Sequence, residues 1–131
     1  MAPIGSAPRE SEATGAAMAL IYKIVAAHLW DDAVARGTFA GAAIDLTDGY
    51  IHFSTADQVR ETAARHFAGI DELVLVAFDD AALGPQLRYE PSRGGALFPH
   101  LYAALDPNLA LWAKPLRRGG DGRHVFPDTI A

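Results

Sequence analysis

Apolar residues form runs whose spacing predicts two buried strands with a helix between them. Leu20–Val25 (LIYKIV) is short, rich in strand-forming residues and apolar on both faces, which is typical of a buried strand. Ala26–Arg36 follows with apolar residues at helical spacing, and Gly37 is placed to end that helix. Leu73–Phe78 (LVLVAF) is apolar at every position, which predicts a central strand.

A further strand and helix are predicted after Asp48-Gly49, which is a strong turn signal. The strand is Tyr50–Ser54. Thr55–Gln58 (TADQ) is then typical of a capping box, in which the threonine hydroxyl accepts the glutamine N–H and the glutamine side chain reaches back. The helix behind it ends at Gly69 and buries residues spaced by three and four, namely Ala56, Val59, Ala63 and Phe67.

The second half of the chain predicts strands without helices. Gln86–Glu90 alternates polar and apolar residues like a half-exposed strand, and Pro91–Gly95 (PSRGG) is a loop with an arginine at its crest. Leu101–Leu105 and Leu109–Leu116 are two further short strands, separated by a turn. Because the helices come early and the strand hairpins late, the order predicts an α+β fold, not a doubly wound parallel sheet.

Composition and charge fit one ordinary globular domain. The 131 residues include 16 acidic and 11 basic side chains, giving a net charge of -5, which disfavours a nucleic-acid partner held by phosphate neutralisation. Cysteine is absent, so disulfides and thiolate sites are excluded. No apolar run approaches the roughly 20 residues that span a bilayer, and the N-terminus does not resemble a signal peptide. We expect a monomeric cytoplasmic protein with no membrane contact: a domain over residues 18–118, a disordered tail over 1–17 and a C-terminal tail over 119–131.

A first candidate site surrounds His52. Strand alternation places His52 and Ser54 on one face, and Thr55 opens the following helix. The free N–H groups and positive dipole end of a helix N-terminus favour an anion such as phosphate or carboxylate. A buried histidine bonded to backbone, with Thr55 acting only as a cap, accounts for the same residues.

A second candidate site contains His100 and Tyr102, which share a strand face after Pro99. The proline argues against a continuous inner strand at this point. Imidazole and aromatic groups together suit a flat ring such as nicotinamide or adenine. An edge strand with Tyr102 covering the core is the structural alternative. The long connection through residues 60–97 leaves open whether His52 and His100 converge.

The charged residues near the second candidate site each have two possible roles. Arg88 and Glu90 share a strand face and form either a simple charge pair or part of a site, with Glu90 as general base or acceptor for a ribose hydroxyl. Arg93 in the loop is either a phosphate clamp or a solvated side chain. The histidines lack the spacing of a metal motif, so we expect no metal; a site assembled from His52, His100 and Glu90 is the alternative.

Five segments, in order, resemble one protein family. They are IYKI at 21–24 with Trp30, DGYIHFSTADQV at 48–59, LVLVAFD at 73–79, YE at 89–90 and FPHLY at 98–102. The resemblance is to an uncharacterised bacterial and plant family known as domain of unknown function nine-fifty-two, and it covers about residues 20–116. Ala103 is a departure, since relatives tend to have glycine after HLY.

This resemblance implies an ADP-ribosylation-like fold: two short antiparallel sheets packed across each other, two flanking helices and an NAD-shaped cleft. The likeness is closest to the RNA 2′-phosphotransferase branch, one strand of which is similar to Gly49–Ser54. Carried over, His52 faces the cleft, and Ser54 and Thr55 support the nicotinamide or phosphate side. The first strand departs from the superfamily, because Tyr22-Lys23 stands where a His-Gly pair is common.

Three functions remain open from the sequence. The first is a module that binds a nucleotide or other anionic small molecule in a groove between IHFST and FPHLY. The second is an NAD-consuming ADP-ribosyl- or RNA 2′-phosphotransferase-like enzyme, with His52, Glu90 and His100 as catalytic residues and NAD as the cofactor. The third is a non-catalytic protein-interaction domain. The candidate ligand-binding residues are Tyr22, Ser54, Thr55, Gln58, Arg88, Arg93 and Tyr102.

Overall fold

Two antiparallel sheets form the frame of the protein. The computed structural model describes residues 19–130, without the side chain of Arg93. The strands of the four-stranded sheet run in the order β3 (Ser54–Thr55), β1 (Leu20–Ala26), β4 (Leu73–Asp79) and β7 (Trp112–Leu116). Those of the three-stranded sheet run in the order β2 (Ile51–His52), β6 (Leu97–Leu101) and β5 (Leu87–Pro91).

Helices fill the connections in the first half of the chain. They are α1 (Ala27–Arg36), α2 (Ala43–Asp48) and α3 (Val59–His66), with 3₁₀ turns at Asp80–Gln86, Arg93–Gly95 and Pro107–Leu109. The predicted α+β class and the two antiparallel sheets are thereby confirmed. Within residues 19–130, no helix has the length and apolarity needed to cross a membrane.

The main core lies between the two sheets. Phe78 on β4 is fully buried and contacts Trp30 of α1 and Phe53, with ring centroids 6.3 and 5.6 Å apart. Ile51 of β2 and Leu101 of β6 close this core from the three-stranded sheet. A second core covers the opposite face of the four-stranded sheet, where the buried side chains of α3 pack.

The first half of the chain confirms most of the predicted elements. β4 is an inner strand, and β1 pairs with it over all seven residues, from Leu20 opposite Asp79 to Ala26 opposite Leu73. α1 ends as predicted at Gly37, whose φ of 78° is left-handed and therefore suits glycine. β5, predicted as a half-exposed strand, lies at the edge of its sheet.

The predicted strand Tyr50–Ser54 is wrong in one respect, because the chain divides it between the two sheets. β2 pairs with β6, and β3 then pairs with β1. Phe53 lies at the crossing, 3% exposed, and its N–H donates to the Pro99 carbonyl at 3.0 Å. Phe53 is buried in the core between the sheets, and His52 and Ser54 on either side of it belong to strands of different sheets.

The strand predicted at Leu101–Leu105 is also displaced. It is β6, which ends at Leu101, and it is the central strand of its sheet although it contains Pro99. The N and carbonyl of one residue point to the same side of an antiparallel strand. The missing N–H of Pro99 therefore faces Phe53, where β2 has already ended, and the proline removes no ladder hydrogen bond.

Helix α2 was not predicted, and α3 differs from its prediction at both ends. Asp48-Gly49, interpreted as a turn before a strand, is the end of α2. The Gln58 side chain accepts from the Thr55 N–H at 3.1 Å as the capping box requires, but the Gln58 N–H donates to the Thr55 carbonyl instead of the hydroxyl. α3 begins at Val59 and ends before the predicted Gly69.

The residues after β7 return to α3. Ile130 is 2% exposed, and its carbonyl accepts from the Arg60 guanidinium at 2.8 Å. The predicted N-terminal tail over residues 1–17 lies outside the described residues.

Leu75 and Leu46 provide a matched test of this core. Leu75 on β4 is fully buried, whereas Leu46 on α2 is 64% exposed. We expect Leu75→Ala to lower the free energy of unfolding by about 2–5 kcal/mol, since it removes buried methyl groups and leaves a cavity. Leu46→Ala should change it by less than about 0.5 kcal/mol. Urea titration followed by circular dichroism measures both, and equal losses would contradict this assignment of the core.

Candidate functional site

A groove of about 530 Å³ opens between the two sheets, α2 and α3. Its apolar wall includes four aromatic side chains, from Tyr22, Phe53, Phe67 and Phe98. Its polar wall brings together side chains from five segments of the chain: Lys23, Asp48, His52, Ser54, Thr62, His66, Ser92 and His100. This mixture of apolar lining and few polar groups is typical of small-molecule sites.

His52 and His100 converge in this groove. They are directly opposite each other on the adjacent antiparallel strands β2 and β6, and their ring centroids are 5.5 Å apart. The register of β2 and β6 brings the two imidazoles together, because opposite residues of antiparallel strands project to the same face. The sequence left open whether His52 and His100 converge. They do, because the connection through residues 60–97 returns the chain to a position beside β2.

A buried carboxylate, Asp45, holds His52 in place. Asp45 is 2% exposed and accepts from the Nδ1 of His52 at 2.6 Å, the backbone N–H of His52 at 3.1 Å and the N–H of Ala42 at 2.8 Å. Burial acts to raise the pKa of Asp45, but the bonds from His52 and the charge of Lys23 outweigh it and lower this pKa to about 2. Asp45 is therefore a carboxylate at neutral pH.

Lys23 completes this network from β1. Its Nζ lies 3.1 Å from Asp45 Oδ2 and donates to the His52 carbonyl at 2.9 Å. Burial lowers the pKa of Lys23, and the Asp45 carboxylate opposes that change. Gly41 allows the approach, since a Cβ there would lie 2.8 Å from the Asp45 Cβ. α2, β1 and β2 are thus joined at one buried ion pair.

A second carboxylate reaches the other side of the His52 ring. Asp48 Oδ2 is 2.9 Å from Nε2, and the Asp48 side chain is 36% exposed. Carboxylate oxygens accept hydrogen bonds, so both ring nitrogens of His52 face acceptors. Asp48 also lines the groove, which makes it a partner that a ligand can displace.

Unlike His52, His100 has a carboxylate at only one of its two ring nitrogens. Its Nδ1 is 2.8 Å from Glu90 Oε1, and Glu90 in turn accepts from the Tyr102 hydroxyl at 2.6 Å. The bonds from Tyr102 and His100 lower the pKa of Glu90. The His100 side chain is 4% exposed and lines the groove, yet its Nε2 has no hydrogen-bond partner within residues 19–130. A buried ring nitrogen without a partner is the feature of this site that a ligand would satisfy.

Tyr50, which sequence reasoning missed, packs against both imidazoles. Its ring centroid lies 4.7 Å from that of His52, 4.1 Å from that of His100 and 5.2 Å from that of Tyr102. Tyr50, Tyr102 and Glu90 do not line the groove. They contact the histidines or their partners, so they position the imidazoles instead of forming the groove wall.

The remaining predicted ligand-binding residues divide into two groups. Tyr22 and Ser54 are buried and line the groove, and the Ser54 hydroxyl lies 2.8 Å from that of Thr62. The others do not line it: Thr55 and Gln58 bond each other, the Gln58 amide donates to the Leu97 carbonyl, and Arg88 stacks on the Tyr102 ring at 5.1 Å. The side chain of Arg93 lies outside the described structure.

Sequence reasoning also missed Asp45 and Lys23. One signal for Lys23 was present, since it is the charged residue inside the otherwise apolar strand LIYKIV. Asp45 had none, because the short helix that carries it was not predicted. Within the described residues, no cluster of three metal-ligating side chains is present.

Comparison with known proteins places this arrangement in a family. A family model described as "Protein of unknown function (DUF952)" matches residues 24–113. The chain belongs to the DUF952 family. This confirms the resemblance drawn from the five sequence segments. No curated protein sequence matches the chain.

Solved structures of protein CC0527 from Caulobacter crescentus have a similar fold. The X-ray crystal structure of protein CC0527 is 45% identical and has a TM-score of 0.81, with 85% of this chain and 97% of that chain covered. The solution NMR structure of CC0527 is 46% identical and has a TM-score of 0.77, with 86% and 97% covered.

The pH dependence of stability tests the Asp45 network of this DUF952 domain. The pKa of Asp45 is about 2 in the folded chain against an ordinary 3.8. A lowered pKa contributes stability that is present above 3.8 and lost as the pH falls towards 2, on the order of 2 kcal/mol in all. We expect Asp45→Asn to remove this part of the slope when unfolding is measured in urea between pH 2 and 5.

Asp71→Asn is the control for this measurement. Asp71 also has a lowered pKa, from its bonds to Arg118, but it is exposed. Its removal should leave most of the acid slope in place. A slope that is unchanged in Asp45→Asn would show that the buried ion pair does not determine acid stability.

Proposed function

We propose that the groove of this DUF952 domain binds a nucleotide. The observation that carries the proposal is His100, a buried imidazole of the groove wall that is fixed at Nδ1 by Glu90 and has no partner at Nε2 among residues 19–130. An unsatisfied buried nitrogen is costly, so a hydrogen-bonding ligand at this point stabilises the folded protein. A ribose hydroxyl, which can donate to the Nε2 lone pair, is such a ligand group.

The groove wall supports this ligand class in its chemistry and size. About 530 Å³ falls in the range of small-molecule pockets. The aromatic side chains of Phe67 and Phe98 offer faces for a flat base, and the paired hydroxyls of Ser54 and Thr62 lie in the same wall as the histidines. The ADP-ribosylation-like fold expected from the sequence resemblance is consistent with a nucleotide in this position.

A proton–nitrogen NMR titration tests the proposal. NAD, ADP-ribose and nicotinamide are added separately to the labelled protein. We expect saturable shifts at the amides of His52, Ser54, Phe98 and His100, because these residues line the groove. His100→Gln should weaken nucleotide affinity about tenfold, the worth of one good hydrogen bond.

His28→Gln is the matched control, since His28 is an exposed histidine on α1 that does not line the groove. It should bind like the wild type. The absence of any shift at millimolar ligand would contradict nucleotide binding and favour the third reading, a protein-interaction domain.

A second candidate function, NAD consumption, is favoured by Asp48. Asp48 is a carboxylate in the groove wall, while Glu90, expected from the sequence to serve the reaction, does not line the groove. As the bond to nicotinamide breaks, positive charge develops on the ribose, and a fixed carboxylate beside it lowers the barrier. In this reading Asp48 stabilises the reacting ribose and Glu90 acts only by holding His100.

Asp48→Asn separates the two functions. If NAD is consumed, the variant should release nicotinamide about 100-fold more slowly than the wild type, because the carboxylate is lost. If the protein only binds nucleotides, the variant should bind ADP-ribose more tightly, because a charge that repels phosphate and competes for His52 is removed. Chromatography of nicotinamide and calorimetry of ADP-ribose distinguish these results, with the exposed Asp71→Asn as control.

A further inference from the structure

The two imidazoles of the groove differ in the number of carboxylates that bind them. His52 has Asp45 at Nδ1 and Asp48 at Nε2, at 2.6 and 2.9 Å. His100 has Glu90 at Nδ1 and no partner at Nε2 within the described residues. Carboxylate oxygens accept, so both ring nitrogens of His52 face acceptors, whereas only Nδ1 of His100 does. The geometry therefore offers a hydrogen-bond donor at His52 Nε2 and an acceptor at His100 Nε2.

The other charged groups nearby do not remove this difference between the two imidazoles. Lys23 binds the backbone carbonyl of His52 and not its ring, and its charge is balanced by Asp45. Arg88 is opposite His100 in the strand register, with its guanidinium over the Tyr102 ring. Within the described residues, the charged or titratable groups around the two histidines include Lys23, Asp45, Asp48, Tyr50, Arg88, Glu90 and Tyr102, and His66 of α3 lines the same groove.

A separate acid and base, side by side, suit substitution at phosphorus better than at a carbonyl. In phosphoryl transfer the entering and leaving oxygens lie in line on opposite sides of phosphorus, so two groups must handle the two protons. In acyl transfer one histidine takes the proton and later returns it. The rings of His52 and His100 are 5.5 Å apart and line one groove, so they can reach the two sides of a single phosphorus atom.

We propose that His52 and His100 form an acid–base pair that hydrolyses a phosphodiester of a ribonucleotide, with a 2′,3′-cyclic nucleotide as the simplest substrate. This rests on the nucleotide site proposed above and names its substrate class. His100 Nε2 removes a proton from water, whose oxygen forms the new bond to phosphorus. The bond from phosphorus to one ribose oxygen breaks, and that oxygen takes the proton from His52 Nε2. Solvent then restores both rings, and the product is a phosphomonoester.

Asp48 has a defined place in this scheme. Its carboxylate lies at His52 Nε2, the position that the leaving oxygen must occupy, and its side chain is 36% exposed. Substrate therefore displaces Asp48 and receives the same hydrogen bond. Asp45 and Glu90 remain in place and are positioning residues, because each acts through the ring that it binds.

Phosphorus NMR of the wild-type protein with 2′,3′-cyclic AMP tests the proposal. We expect the cyclic phosphodiester signal to be replaced by a monoester signal, at a rate that falls at both low and high pH. His100→Gln and His52→Gln should each lower the rate about 100-fold or more. His28→Gln should retain it. Circular dichroism and urea titration of each variant distinguish a loss of chemistry from a loss of fold, since His52 and His100 both bind carboxylates of the folded structure.

The outcomes separate this proposal from the nucleotide site itself. Titration of the same sample with 2′-AMP and 3′-AMP reports binding without turnover. Binding with no hydrolysis overturns the acid–base pair and leaves the nucleotide site standing, whereas no binding and no hydrolysis overturns both. Hydrolysis that survives in both histidine variants comes from another enzyme and overturns the proposal. Cleavage of p-nitrophenyl acetate but not of the cyclic nucleotide overturns the assignment to phosphorus.

Discussion

The buried ion pair between Asp45 and Lys23 is the constraint on which the site depends. A carboxylate and an ammonium removed from water are tolerated only when they are paired and fully hydrogen-bonded. Asp45 meets that requirement by accepting from Lys23 on β1, from Ala42 at the start of α2 and from His52 on β2. The orientation of the His52 ring therefore follows from the assembly of three separate segments, and it is fixed before any ligand arrives.

The second imidazole is fixed by a different and more exposed partner. Glu90 on β5 holds His100 through one ring nitrogen, and Tyr102 holds Glu90. Tyr50 packs against both rings and limits their rotation. Two histidines of the same sheet thus have different surroundings: His52 lies between two carboxylates, whereas His100 has one carboxylate and, within residues 19–130, no partner at its other ring nitrogen.

Sequence patterns predicted the strands and helices whose own apolar residues pack into the core. β1, α1 and β4 carry apolar side chains at the spacing of their structure, so local pattern and tertiary packing agree there. The predictions fail where contacts between distant parts of the chain determine the local structure. Phe53 changes sheets to reach the core, Pro99 lies in a central strand because β2 ends beside it, and α2 exists around a carboxylate that is stabilised only in the folded chain.

The sequence by itself determined the α+β class, the family and the residues His52, Glu90 and His100 as candidates, since these depend on local pattern and residue chemistry. Only the tertiary structure decided that the two histidines converge, that Glu90 lies outside the groove and that Asp45 and Lys23 support the site. The physical reason is sequence separation. Strand register, burial and charge pairing join residues that are far apart in the chain, and periodicity along one segment carries no information about its partner.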